Sequence, residues 1–219
     1  MSYDYTTIHL ACRTKALTLS VCTTGSVTLA STLTGYTRAS GSFVTDGFSP
    51  GMEITVAGFT SNPTSTITSV GALTMTVKDA RSVETASAGR TLSVGLPASR
   101  AFENSQFTPV TGVPYVEENF LPGPSRRVTI GPLAQLELSP MYSLKVNVPS
   151  NTGIVADGRY ADALINLFTP STAITLSSGD ILRVRDDTGP YRGQRLPSGS
   201  GFSVVPVTVP FWMRTTNSI

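Results

Sequence analysis

Ala101-Phe102-Glu103-Asn104, Phe107-Thr108-Pro109, Gly112-Val113-Pro114-Tyr115-Val116, Tyr142-Ser143-Leu144-Lys145-Val146-Asn147-Val148 and Val204-Val205-Pro206-Val207-Thr208-Val209-Pro210 follow one another along the second half of the chain. Tyr142, Leu144, Val146 and Val148 alternate with Ser143, Lys145 and Asn147, the mark of a strand with one buried and one wet face. Strands are also expected at 113–120, at 126–130 after the turn Pro122-Gly123-Pro124, at 179–185 and at 202–209. Between them, Ala161, Leu164, Ile165 and Phe168 form an apolar stripe at helical spacing. That helix follows Asn151-Thr152-Gly153 and stops at Thr169-Pro170, because proline cannot continue the ladder and restricts the residue before it.

Upstream, Ile8, Cys12, Ala16 and Leu19 share one face of a helix expected from Asp4 to about Leu19, with Asp4 as its N-cap. From Cys22 to Gly95 the chain is rich in Thr, Ser, Gly and Val and shows no helical period. Short alternating runs at 26–33, 52–56, 65–70 and 73–77 are separated by glycine-containing turns, the signature of a small antiparallel unit. The expected fold is therefore α+β: a mixed or antiparallel sheet flanked by two helices, with an inserted all-β module. Residues 1–21 and 96–219 make up the discontinuous α+β domain, and residues 22–95 the inserted β-rich module. An insertion there is cheap, since loop-closure cost grows slowly with length.

Only 14% of the 219 residues are charged and 40% are hydrophobic. The charged share is well below the roughly 25% usual in soluble domains. That suits either a chain that lies against its own copies or a β-rich domain with a Thr/Ser surface. A net charge of +2 supplies no broad basic field for non-specific nucleic-acid binding. The N-terminus has no basic segment followed by an apolar one, and no apolar run is long enough for a bilayer span, so a cytoplasmic site of synthesis with reduced thiols is expected. Cys12 and Cys22 form no Cys-x-x-Cys pair and read as buried, inert thiols.

No constellation for catalysis stands out. Glu117 and Glu118 are neighbours in a strand and point to opposite faces. Asp186-Asp187-Thr188-Gly189-Pro190 reads as a turn, and Asp180 adds no calcium-loop spacing. His9 lacks a nucleophile elbow, and His9, Cys12 and Cys22 lack a fourth zinc ligand. No catalytic, cofactor or metal residues are assigned, and the chain is not expected to be an enzyme. Arg183, Arg185, Arg192 and Arg195 form the local basic cluster. It suits a neighbour's carboxylates, DNA passing through a ring, or a solvated hairpin tip. Phe211 and Trp212 follow the last strand and suit either an anchor on a neighbour or core packing.

The order of these features resembles the tail-terminator proteins of long-tailed bacteriophages (siphophages). The resemblance rests on the N-terminal helix, Leu96-Pro97, Phe102-Glu103-Asn104, Phe107-Thr108-Pro109, Pro114-Tyr115-Val116, Val146-Asn147-Val148-Pro149 with Gly153, Ala161-Asp162-Ala163-Leu164 with Phe168, and Val205 to Pro210. Residues 22–95 interrupt the family pattern, although Ser42–Phe59 resembles a small β-module of phage structural proteins. The resemblance implies a structural virion protein, a homohexamer that caps the tail tube as a ring at the tail–neck junction. It stops tube polymerisation and joins the tail to the head-side connector. The implied partners are copies of itself, the tail tube protein and the connector or stopper protein, with DNA only as cargo through the lumen, no membrane and no cofactor. Assembly is expected in the host cytoplasm. The alternatives are another neck or tail part, such as a head–tail joining or tube protein, and a glycan- or receptor-binding β-module protein suggested by residues 22–95, where Tyr36, Phe43, Phe48 and Phe59 could as easily fill the small core.

Overall fold

The computed structural model describes residues 4–103, 105–130, 135–198 and 201–216. Asn104 of the aromatic-x-Asn step and Asn217-Ser218 of the polar end lie outside the described residues. Helix α1 (Tyr5–Ala16) buries Ile8, Cys12 and Ala16. The Asp4 carboxylate caps it, accepting from the Thr6 N–H at 2.9 Å and the Thr7 hydroxyl at 2.7 Å. These bonds hold the Asp4 carboxyl below its ordinary value.

The next stretch contains β1 (Cys22–Thr23), β2 (Val27–Thr32), β3 (Gly35–Arg38), the one-turn helix α2 (Phe43–Asp46), β4 (Glu53–Ala57), β5 (Ser65–Val70), β6 (Thr74–Val77) and β7 (Glu84–Val94). Six of these strands close into an antiparallel barrel in the order β2-β3-β6-β5-β4-β7, with β7 returning to β2. The closing strand is the long one. Its first part pairs with β2 through Ser31↔Glu84, Leu29↔Ser87 and Val27↔Arg90. Its last part pairs with β4 through Ala57↔Thr91, Val56↔Leu92 and Thr55↔Ser93. Register shifts along β2–β7 and β5–β6 bend the strands as closure requires. Leu29, Tyr36, Ile54, Ile67, Met75 and Leu92 are buried within this unit. Gly35 lets β3 approach β6: a Cβ there would sit 1.9 Å from the Met75 carbonyl oxygen.

These strands overturn the α+β expectation. The chain is mostly β, 43% strand against 14% helix, and it carries a closed six-stranded antiparallel barrel rather than resting on a sheet flanked by two helices. The physical reason is that closure is a long-range property. It depends on β7 meeting both β2 and β4, which no local period announces. The segment expected to be free of helix also holds α2, capped by the Ser42 hydroxyl on the Thr45 N–H and ended by Gly47 at φ +105°.

The rest of the chain supplies β8 (Ser99–Ala101), β9 (Tyr115–Leu121), β10 (Ser125–Arg127), β11 (Gln135–Leu138), β12 (Met141–Pro149), α3 (Val155–Leu167), β13 (Ala173–Thr175), β14 (Ile181–Val184), β15 (Tyr191–Arg192), β16 (Leu196–Ser198) and β17 (Phe202–Thr216). They form a second sheet with the path β10-β11-β17-β12-β9-β8, antiparallel except for β8–β9. Strand β17 is its spine. On one side it pairs with β12 without interruption from Met141↔Pro210 to Pro149↔Phe202, then with β11. On the other side it meets three short pieces, β16, β15 and β14. Pro206 and Pro210 account for the difference. A residue's N and C=O point to the same side of a strand, and the carbonyls of Pro206 and Pro210 accept from Gly193 and Arg185 on the broken side. The missing N–H groups therefore fall on that side and leave the β12 ladder whole.

Val116 and Phe120, Tyr142, Leu144 and Val146, and Val205, Val207, Val209 and Phe211 share one face of this sheet and are buried. Both helices pack on that face. Tyr142 lies 5.9 Å from the His9 ring of α1 and 6.4 Å from Phe168 at the end of α3. Barrel and sheet share one continuous cluster of buried side chains. At the junction, Glu53 N–H donates to the Tyr160 hydroxyl at 3.4 Å and Ala98 N–H to the Glu53 carboxylate at 3.1 Å. Gly51 (φ +87°) is pressed so close that a Cβ would lie 2.7 Å from Val148 Cγ1.

Leu144 is fully buried at the centre of β12. Leu144→Ala is expected to cost about 2–5 kcal/mol in denaturant unfolding, against less than about 0.5 kcal/mol for exposed Leu10→Ala.

Candidate interaction surface

Among the described residues the second sheet has helices on one face only. The other face carries Glu117 and Asn119 of β9, Met141, Ser143, Lys145 and Asn147 of β12, and Pro206, Thr208 and Trp212 of β17. Leu121, Tyr191 and Leu196 are about half exposed there, each set opposite a residue of this face. The face is mixed: Leu121, Tyr191 and Leu196 lie among polar side chains, and toward the Tyr115 end Asn147 is buried, with Phe107 and Phe202 packed on Tyr115. Its charges near the centre are neutralised within the chain: Glu117 takes Lys145 at 3.4 Å and the Asn147 amide at 3.2 Å.

The adjacent glutamates separate as strand geometry requires. Glu118 turns inward, is 3% exposed, meets Arg13 of α1 at 2.5 Å and accepts from the Tyr142 hydroxyl at 2.6 Å. This is the polar tie between α1 and the sheet. Beside it, the His9 ring stacks on Phe120 at 5.2 Å. Burial, followed by repulsion from Arg13, lowers the His9 pKa. A matching tie fixes α3. Buried Asp157 takes both Nε and Nη2 of Arg195 at 2.7 Å and the Ser203 hydroxyl at 2.7 Å. Both buried acids lie on apolar stripes of the sequence, Glu118 between Val116 and Phe120, and Asp157 one turn before Ala161. That placement is the signal by which they are found.

The four arginines of the basic cluster divide. Arg195 and Arg192 turn to α3, the latter to Asp162 at 3.0 Å. Arg185 reaches Asp187 at 3.2 Å and Glu137 at 3.7 Å. Arg183 is half-buried on β14 opposite Trp212. Phe211 is fully buried on the helix side, 6.0 Å from Phe168. Its neighbour Trp212 emerges on the helix-free face, with Arg214 5.6 Å from its ring. Glu137, which sequence reasoning passed over, gathers Arg126, Arg185 and Arg214 within 3.2–3.7 Å. Together with Asp186 and Asp187, Glu137, Arg185, Trp212 and Arg214 line a depression of about 280 Å³.

Cys12 and Cys22 are buried free thiols. Burial pushes both pKa values up, Cys22 to about 12, so neither is a ready nucleophile. Among the described residues no three His, Cys, Asp or Glu side chains gather to hold a metal, and no helix there is long and apolar enough to cross a membrane.

Residues 83–211 match the sequence model of a family described as phage tail terminator protein. The match covers more than half of the chain. This chain belongs to the phage tail terminator family. The matched region starts just before β7, the closing strand of the barrel, and ends at Phe211 in β17. The terminator therefore has a structural role in a phage tail and belongs to the virion, in contact with other tail components. No curated protein matches it. A solved structure aligns at 23% identity over 54% of the terminator and 79% of its own chain, with a TM-score of 0.41. A likeness of that size carries nothing further.

In the terminator, Glu118→Ala is expected to cost about 1–3 kcal/mol in denaturant unfolding, because it leaves the buried Tyr142 hydroxyl and the part-exposed Arg13 without their partner. Glu117→Ala, at a half-exposed pair, should cost less than about 1 kcal/mol. The lowered His9 pKa gives a pH dependence of fixed sign. The unfolded chain takes up a proton near pH 6.5 while the folded chain resists it, so stability is full above about pH 6.5 and declines as pH falls toward the folded value. Thermal melts across that window should show the decline, and His9→Phe should flatten it.

Proposed function

We propose that this terminator caps the end of the tail tube as a ring of its own copies, stops tube polymerisation and presents a joining surface to the head-side connector at the tail–neck junction. The family membership carries this reading, and the helix-free sheet face with Leu121, Tyr191 and Leu196 supplies a surface for it. The two ends of that sheet differ. β10 is fully exposed at one end, whereas β8 is half-buried at the other. Contacts between copies that use unlike ends are head-to-tail, and such contacts close into a ring when the rotation allows. A hexamer is the proposed closure. Residues 1–21 and 96–219 are proposed as the ring-forming unit and 22–95 as the inserted module on its outer rim. Within the site, Arg183, Arg185 and Trp212 are proposed to meet a protein neighbour, with DNA only passing through.

The glycan-binding alternative gains no surface from the module's aromatic residues. Tyr36, Phe43 and Phe48 are buried, and Phe59 packs on Tyr36 at 5.3 Å and under Arg90 at 4.2 Å.

The purified protein is expected to form one discrete closed species by mass photometry, or a monomer that closes only on tube ends. Loss of the gene should give tails of uncontrolled length without attached heads in electron micrographs. Endless tubes from the protein alone, or normal tails without it, would falsify the capping role.

A further inference from the structure

Three arginines are buried in the barrel: Arg38, Arg81 and Arg90. Two of them are neutralised. Arg38 pairs with Asp46. Arg90 pairs with Glu84 at 2.8 Å and donates to the carbonyls of Leu29, Thr85 and Gly58. Arg81 is different. It is 3% exposed, and its guanidinium donates through Nη1 to the Pro63 carbonyl. Its Nε and Nη2 are closed to solvent and have no partner. Among the described residues no carboxylate pairs with it. Asp79, the acid nearest in sequence, accepts from the Ser65 hydroxyl at 2.5 Å, and Glu84 is already occupied by Arg90, the Asn62 amide at 2.7 Å and the Thr60 N–H at 3.0 Å.

Two more buried groups beside Arg81 are also unmet. The Tyr36 ring centroid lies 5.8 Å from Arg81 Cζ, and the Tyr36 hydroxyl is closed to solvent without a partner. Asn62 Oδ1 is in the same condition. Asn62 reaches this corner through Ser31, whose hydroxyl donates to the Ser82 carbonyl next to Arg81. Tyr36 and Asn62 are 1% and 8% exposed. Burial raises the Tyr36 pKa, so its hydroxyl stays protonated and able to donate.

The chemistry of the unmet groups is lopsided. Nε offers one hydrogen, Nη2 two and the tyrosine hydroxyl one, against the single amide oxygen of Asn62. A water molecule accepts about two hydrogens, must place two of its own, and leaves the arginine charge uncompensated. A small anion accepts from several donors and cancels the charge, the condition under which a buried cation is tolerated. We propose that the barrel binds a monovalent anion of halide size, chloride in ordinary buffers, between the guanidinium edge of Arg81 and the hydroxyl of Tyr36. The site lies within the barrel and is independent of ring formation.

The test uses the full chain crystallised with sodium bromide replacing chloride, with diffraction recorded at the bromine absorption edge. An anomalous peak within hydrogen-bonding reach of both Arg81 and Tyr36 is the expected result. Bromide at surface positions only, or density at Arg81 that shows no anomalous signal and refines as water, overturns the proposal. A solution measurement accompanies it. The melting midpoint should rise by a few degrees from sodium fluoride to sodium bromide at equal ionic strength, and the rise should shrink in Tyr36→Phe, which keeps the ring and loses the donor. Arg81→Met should abolish it. Because each variant is compared with itself across salts, a lower starting midpoint does not affect the reading. A salt response that is the same in the wild type and in Tyr36→Phe counts against the site.

Discussion

The shape of the second sheet follows from a one-sided supply of hydrogen bonds along β17. Pro206 and Pro210 are four residues apart, so both withhold a donor from the same edge of the strand. The opposite edge keeps every donor and holds β12 in an unbroken ladder. On the deficient edge the chain comes back as β14, β15 and β16 rather than as one long strand. Helix α3 crosses the β12–β17 face, and α1 joins it on the same side. The other face is left without a helical cover. The broken edge of the sheet is thus a consequence of where two N–H groups are missing.

The helices are located by charge as well as by apolar packing. Each has one buried acid at its seam: Glu118 of the sheet for α1, and Asp157 of the helix itself for α3. Each acid meets an arginine and a hydroxyl; Asp157 accepts four hydrogen bonds, whereas Glu118 accepts one from Tyr142 and meets Arg13 through charge. Such ties add little net stability over well-packed apolar groups. They do penalise every position of the helix that separates the partners, and so they fix where the helix stands on the sheet. Glu137 acts similarly at the far end of β17, drawing in Arg126, Arg185 and Arg214, the last two beside Trp212.

Strands β9, β10, β12, β14 and β17 were legible because they alternate or are bounded by proline and glycine, whereas the short β8, β11, β13, β15 and β16 carry too few residues to show a period. The stripe of α3 and the cap of α1 were equally plain. The opposed directions of Glu117 and Glu118 followed from strand geometry alone. The barrel was not legible as a barrel. Its strands are short and rich in Thr and Ser, and its closure depends on Ser93 lying beside Thr55 while Arg90 of the same strand lies beside Val27. Nothing in a local window records that double pairing, and giving the helices and one sheet the main weight produced the α+β assignment. The arginine cluster was misleading in another way. Nearness in sequence between residues 183 and 195 does not become nearness in space, because β14 and the β15–β16 segment approach β17 at different heights and find different acids.

The crowding at Gly51 bears on redesign. A compact β unit whose ends meet, with Cys22 opposite Val94, invites replacement by another. Here the recipient surface presents Val148 and Thr152 with no clearance for even one methyl group. A replacement cassette would have to bring its own glycine to that point, in a left-handed backbone geometry, or arrive with compensating changes in the host strand. The barrel and the β12 strand end it rests on are therefore bound to change together at this point.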